Sequence, residues 1–167
     1  MLNHAQDHRE DIHTINLAQL LTQSVEKYSE KSVLITDSRR ITYRDLGANI
    51  QALMQSLKDR GVVQGDKVAL MLPNCPEFVY SYLAVVCSGA VVVPLNTAST
   101  PAELSYLLQN SDAKLLIAPK SAEKKYEDIE AGITARCSFF SPDAGGNGKR
   151  GETLAPALFQ SARGIAP

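Results

Sequence analysis

The chain has 167 residues, long enough for one domain with a core of its own, and its 44% hydrophobic and 21% charged content is ordinary for a globular protein. A net charge of −1 argues against a nucleic-acid or membrane-surface partner held by bulk electrostatics. No apolar run reaches the roughly 18 residues of a membrane span, and no amino-terminal signal peptide is recognisable.

Residues 1–15 are polar and read as a disordered arm. His4 and His8 share a helical spacing there and His13 follows, but a terminal arm without a fixed third ligand makes a poor metal site, and no metal is expected. Asn16 then opens a helix, with Gln19 at the capping-box position and Leu17, Leu20, Leu21, Val25 and Tyr28 on one face. Burying such a stripe contributes about 1.5–3 kcal/mol per large side chain against about 1 for a cap, so packing is expected to place this helix. Residues 32–37 read as a short strand, and Ser38-Arg39-Arg40 as a polar turn into Ile41-Thr42. Thr42 caps a long helix to about Lys58, with Asp45 in the place of the usual Glu or Gln; Leu46, Ile50, Leu53, Met54 and Leu57 mark its buried face, and Gly61 ends it.

The stretch from Asp66 to Asn96 organises the rest. Val68 to Leu72 is a short, uninterrupted apolar run, as a strand covered on both faces must be. Asn74 is placed to cap the next helix, with Glu77 three residues on and Pro76 in the first turn. Phe78, Val79, Tyr82, Leu83, Val85 and Val86 make that helix apolar almost all round, which predicts burial. Gly89 stops it, and Val91-Val92-Val93 begins the next strand at once, completing a βαβ unit. Thr100-Pro101-Ala102-Glu103 is a second capping box, opening a helix with the stripe Leu104, Leu107 and Leu108; Ala113 to Ala118 is a further strand.

This alternation predicts an α/β layered fold with a mainly parallel sheet flanked by helices. The strands near 68–72, 91–94 and 114–118 are expected as parallel neighbours, and the helices at 17–28 and 43–60 against the sheet layers. One more helix is expected within 121–133 and a short strand within 135–140. The organisation read from the sequence is an arm at 1–15, an α/β subdomain at 16–137, and a linker-like tail at 138–167. Cys75, Cys87 and Cys137 are odd in number and lack ligand spacing, which suits reduced thiols in a cytoplasmic setting. Cys75 sits at a helix start, where a thiolate is favoured, but packing is the plainer account of it.

Few residues point to chemistry directly. Gly145-Gly146-Asn147-Gly148-Lys149 suggests a phosphate loop, yet Asp143 stands where the first Gly is needed and Arg150 where Ser or Thr is needed, so a flexible linker is the better reading. No G-x-S-x-G elbow, H-E-x-x-H or paired C-x-x-C occurs, and no Gly-rich turn after a strand supports a dinucleotide site. No catalytic residue is assigned within the chain.

Longer stretches carry more. Residues 41–46 (ITYRDL), 65–96 and 99–118 resemble the N-terminal region of the adenylate-forming superfamily, which includes acyl-CoA synthetases. Thr42, Tyr43 and Leu46 match its L-T-Y-x-E-L box, with Asp45 for Glu. Gly89, Ala90, Val93, Pro94 and Leu95 match its K-A-G-A-x-x-V-P-L box, with Cys87 for Lys and Ser88 for Ala. The resemblance runs from residue 16 to about 119, and Asn96 with the TPAEL helix is closer to the acyl-CoA ligase branch than to the peptide-synthetase branch.

The resemblance implies the N-terminal subdomain of an AMP-forming acid–CoA ligase, which turns a carboxylate and ATP into an acyl-adenylate and then a thioester with CoA. ATP, Mg²⁺ and CoA serve such a parent enzyme, and its partners are the remainder of the ligase chain and a fatty or aromatic acid. The family's Ser/Thr/Gly-rich loop, its adenine- and ribose-binding residues and its C-terminal lysine come after the region matched here. The resemblance therefore implies a fragment that is inactive alone and binds none of these tightly; a non-enzymatic binding or assembly module of the same descent is the alternative. It also implies that Thr97 and Ala98, in the loop after the second box, and Lys124, past the following strand, approach the nucleotide end of CoA. Glu127 stands where a second basic residue is expected, and a solvated charged turn is the plainer account of Lys124.

Overall fold

The computed structural model of the chain describes residues 16–37, 39–133 and 138–140. The arm at 1–15 with its histidines, Cys137, the Gly145–Gly148 stretch and the tail beyond Phe140 lie outside the described residues.

Helix α1 (Leu17–Tyr28) begins as anticipated: the Asn16 side chain accepts from the Gln19 N–H at 2.9 Å and the Gln19 side chain accepts from the Asn16 N–H. Its stripe is not buried as expected. Leu17 and Leu20 remain exposed, Leu20 by 52%, and no residue of α1 is fully buried. The reason is its place: the principal neighbours of α1 are the two helices that follow in the fold, so it sits one layer outside the sheet instead of on it. Strands β1 (Ser32–Ile35) and β2 (Arg40–Thr42) pair antiparallel as a separate two-stranded sheet.

Helix α2 (Tyr43–Asp59) carries the full Thr42–Asp45 capping box. Leu46, Ile50, Leu53 and Leu57 are buried as read from the sequence, while Met54 is half-buried at the margin of the core. Gly61, at φ 74°, ends α2 with the paired bonds of a Schellman turn: the Gly61 N–H reaches Lys58 O at 2.9 Å and the Val62 N–H reaches Leu57 O at 3.0 Å. The same device ends the next helix at Gly89.

Strand β3 (Lys67–Leu70), helix α3 (Pro76–Cys87), strand β4 (Val91–Pro94), helix α4 (Pro101–Ser111) and strand β5 (Ala113–Ile117) follow in the predicted alternation. A single 3-10 turn (Lys120–Ala122) leads into α5 (Glu123–Ile133), and β6 (Ser138–Phe140) is the short strand expected within 135–140. The four-stranded sheet runs β4-β3-β5-β6, with every neighbouring pair parallel. β3 thus lies between the other two predicted strands.

Alternation along β3 and β5 explains the unbroken apolar runs at 68–72 and 115–118. Val68, Leu70, Leu115 and Ile117 face one core with Leu53 and Leu57 of α2 and Val85 of α3. Ala69, Met71, Leu116 and Ala118 face the other core, with Leu104 and Leu108 of α4 and Tyr126 and Ile129 of α5. A strand buried on both faces has no polar side to write into its sequence.

Two details of α3 depart from expectation. Its N-cap is Cys75, which is extended (φ −143°, ψ 164°) and makes no side-chain cap bond; Asn74 lies one residue outside. Pro76 decides this, because proline takes the first helical position and forces the residue before it into an extended conformation. Nor is α3 buried all round: Tyr80, Ser81, Ala84 and Val85 are buried, Phe78, Val79, Leu83 and Val86 are half-buried, and Tyr82 is 39% exposed.

Candidate functional site

The strand order supplies a place to look. From β3 the chain crosses through α3 to β4 on one side, then through α4 to β5 on the other. In open parallel sheets such a reversal leaves a crevice beyond the carboxyl ends of the strands, where ligands collect. Three connections meet that edge: residues 71–75 after β3, residues 95–100 after β4, and residues 118–122 after β5, leading into α5.

Of the residues read as contacts for a nucleotide, Thr97 and Ala98 lie in the connection after β4 and Lys124 lies in the first turn of α5, and all three are exposed. Thr97 and Ala98 form the exposed tip of the β4–α4 connection. The Ala98 N–H donates to Asn96 Oδ1 at 2.9 Å and the Ser99 N–H to Asn96 O at 3.1 Å, so Asn96 folds the loop back on itself. Ser99 is buried beneath it. Thr100 closes the capping box of α4: its N–H reaches Glu103 Oε2 at 2.8 Å, and its hydroxyl accepts from the Glu103 N–H. The Thr100 N–H, then its hydroxyl, hold the Glu103 carboxyl below its ordinary value. An anion approaching the start of α4 therefore meets a carboxylate already in place. Asn96, Ala98, Ser99, Ala102, Glu103, Tyr106 and Leu107 line an open groove of about 680 Å³ along this end of α4.

Lys124 is exposed, and it is the next residue that meets the loop. Lys125 Nζ donates to Ser99 O at 2.7 Å and to Thr97 O at 3.3 Å. Helical phase explains the difference. At about 100° per residue, Lys124 is turned roughly 200° from the buried Tyr126, whereas Lys125 lies roughly 40° from the buried Ile129. Lys125 is on the packed side of α5 and Lys124 on the far side. The buried Tyr126 and Ile129 were the sequence signal that could have found it. Lys120, in the turn before α5, forms an ion pair with Glu123.

The two described thiols, Cys75 and Cys87, are free and partly buried. Burial pushes the Cys75 thiol above its ordinary value, and Glu77 adds to the shift; burial alone does the same at Cys87. Burial, followed by the charge of Glu77, pushes the Tyr80 hydroxyl up to about 12, so it stays protonated. Among the described residues no group of three His, Cys, Asp or Glu side chains gathers as a metal site would require, and no helix is long and apolar enough to cross a membrane.

Comparison with known proteins places these elements in a larger context. The family model described as "AMP-binding enzyme" matches residues 21–147. The crotonobetaine/carnitine–CoA ligase of Salmonella paratyphi A is 33% identical over 122 residues, covering 70% of this chain and 24% of that protein. The long-chain-fatty-acid–CoA ligase of Bacillus subtilis is 32% identical over 114 residues, covering 65% of this chain and 20% of that protein. Among solved structures, the anthranilate CoA ligase AuaEII in complex with anthranoyl-AMP superposes with a TM-score of 0.70 at 26% identity, covering 74% of this chain and 24% of that one. The chain thus spans about a quarter of the length of the relatives it matches.

Proposed function

This chain belongs to the family of AMP-binding enzymes, and from that membership we propose that it is the N-terminal portion of an AMP-forming acid–CoA ligase. The observation that carries the reading is the match over residues 21–147, which takes in the Thr42 box, the Gly89–Leu95 box and the whole β3–β5 alternation in one colinear run. In the parent reaction a carboxylate oxygen attacks the α-phosphorus of ATP, giving an acyl-adenylate and pyrophosphate; the CoA thiol then displaces AMP to give the thioester. The relatives named above act on chemically different acids, so the acid is left open. The free thiols of Cys75 and Cys87 suit a reducing, cytoplasmic setting.

The described residues do not fit ATP and its Mg²⁺. They gather no acidic cluster, and the amide N–H groups of Ala98, Ser99 and Thr100 are already bonded within the loop and cap. No step is therefore assigned to them, and the chain is proposed to be inactive alone, the remainder of the ligase chain being its partner. The edge beyond β4 and β5 fits the phosphate-bearing end of CoA better. Thr97 and Ala98 are exposed there, Lys125 sets an ammonium against the loop, and Lys124 is exposed one residue before it.

The test is carboxylate-dependent exchange of labelled pyrophosphate into ATP, run with a panel of fatty and aromatic acids on the 167-residue chain and on the longest translated reading frame that contains it. Background exchange by the chain and acid-dependent exchange by the longer protein are expected. Turnover by the repurified chain would show that the active site lies within it; silence from the longer protein on every acid would favour a non-enzymatic binding or assembly module.

A further inference from the structure

We propose that Lys125 is a positioning residue for the β4–α4 loop, a strap that holds residues 97–99 against α5 and so fixes the mouth of the groove along α4. The loop is closed on itself by Asn96, but that closure is local. Among the described residues, the hydrogen bonds that tie Thr97, Ala98 and Ser99 to another element are the two from Lys125 Nζ, to Thr97 O and Ser99 O. They reach back 28 and 26 residues along the chain.

The anchor is packed at its other end: Tyr126 and Ile129, which follow Lys125 in α5, are buried in the core shared with Leu104 and Leu108 of α4. A lysine suits the task because an ammonium carries three donors and no acceptor, so it can serve two carbonyls that diverge from one turn and keep a third N–H outward. Methionine would keep most of the buried stem and lose both bonds. Arginine would restore donors to both carbonyls.

The consequence for a ligand rests on the CoA reading above. If the exposed Thr97–Ala98 tip meets the nucleotide end of CoA, its placement is set by Lys125, and Lys124 contributes only as an exposed charge.

Backbone ¹⁵N relaxation on the 167-residue chain tests the strap. In the wild type, order parameters at Thr97, Ala98 and Ser99 should stand near the rigid value of about 0.85, and in Lys125→Met they should fall toward 0.6 while those of β3 and β5 stay fixed. Lys125→Arg should return them, and Lys124→Met should leave them unchanged. Unchanged loop order in Lys125→Met, or an equal fall throughout the sheet, would overturn the proposal. Titration with CoA, read at the amides of Ala98 and Ser99, separates this from the functional reading. Absence of CoA shifts in the wild type counts against the CoA assignment and leaves the strap to be decided by relaxation; shifts weakened several-fold in Lys125→Met but not in Lys124→Met support both.

Discussion

Replacing Lys114 by methionine should loosen the amino-terminal edge of the sheet in a pH-dependent way. The pairing of β5 with β3 skips a residue at Lys114: Lys67 lies opposite Ala113 and Val68 opposite Leu115. This irregularity re-aims the Lys114 side chain. Its ammonium bonds Gly61 O at 2.5 Å and Asp66 Oδ2 at 2.8 Å, while the same carboxylate oxygen accepts from the Val63 N–H at 2.8 Å. One lysine thus joins the end of α2, the entry to β3 and the start of β5. The Lys114 and Asp66 side chains are 41% and 24% exposed, so the ion pair is worth only about 0.5 kcal/mol. The bond to the Gly61 carbonyl adds about 1 kcal/mol after allowance for solvent. Lys114→Met should therefore cost about 1.5 kcal/mol at pH 7, a fall of roughly 3–6 °C in Tm for a chain of this size.

The acid limb distinguishes the two parts. Lys114 first, then the Val63 N–H, hold the Asp66 carboxyl below its ordinary value of 3.8. A group whose folded value is depressed stabilises the fold above its unfolded value, and that stabilisation is lost as pH falls through the folded value. The ion-pair share of the gap between wild type and Lys114→Met should accordingly vanish in acid, leaving the share from Gly61. Urea unfolding at pH 7 and at stepwise lower pH measures both, and a cycle with Asp66→Asn isolates the coupling. A gap at pH 7 that does not narrow in acid would refute the assignment to Asp66, and no gap at all would refute the joint itself.

Two further outcomes follow from the helices. Ser81 is fully buried in α3 and its hydroxyl has no partner among the described residues, so Ser81→Ala should raise stability by about 0.5–1.5 kcal/mol in urea unfolding; a clear loss would mean that the hydroxyl is bonded. Gly61 and Gly89 both sit at φ 74°, so alanine at either should cost about 1–2 kcal/mol. At Gly89 the new Cβ would also lie 3.1 Å from Gln64 Cγ, whereas at Gly61 it meets open space. Any excess cost at Gly89 should therefore disappear in a Gln64→Ala background, and its persistence there would show that backbone, not Gln64, is the obstacle.

What could be read from the sequence was whatever neighbouring residues settle between themselves. The capping boxes at Asn16, Thr42 and Thr100 and the glycine stops at Gly61 and Gly89 are contacts across three to five residues, and each formed as written. At Asn74 two rules of the same range compete, and the restriction Pro76 imposes on Cys75 outranks the preference of Asn for capping. Within the candidate site, Thr97 and Ala98 could be located by their place after β4. That Lys125 bonds the carbonyls of Thr97 and Ser99 could not be found by counting residues past β5, since the phase of α5 relative to its buried side decides which lysine faces the loop.

The sequence by itself determined the α/β alternation from α2 to β5 and the parallel character of β3, β4 and β5, because burial of β3 and β5 on both faces demands continuous apolar runs and the helices between the strands demand crossovers. Only the tertiary structure decided that β3 lies between β4 and β5, that α1 rests on helices with Leu20 still exposed, and that Lys114 and Lys125 bridge segments far apart in the chain. The physical reason is range. An apolar stripe records that a face is to be covered, but what covers it depends on which side of the sheet each crossover packs, and that choice is made between segments the local pattern does not connect.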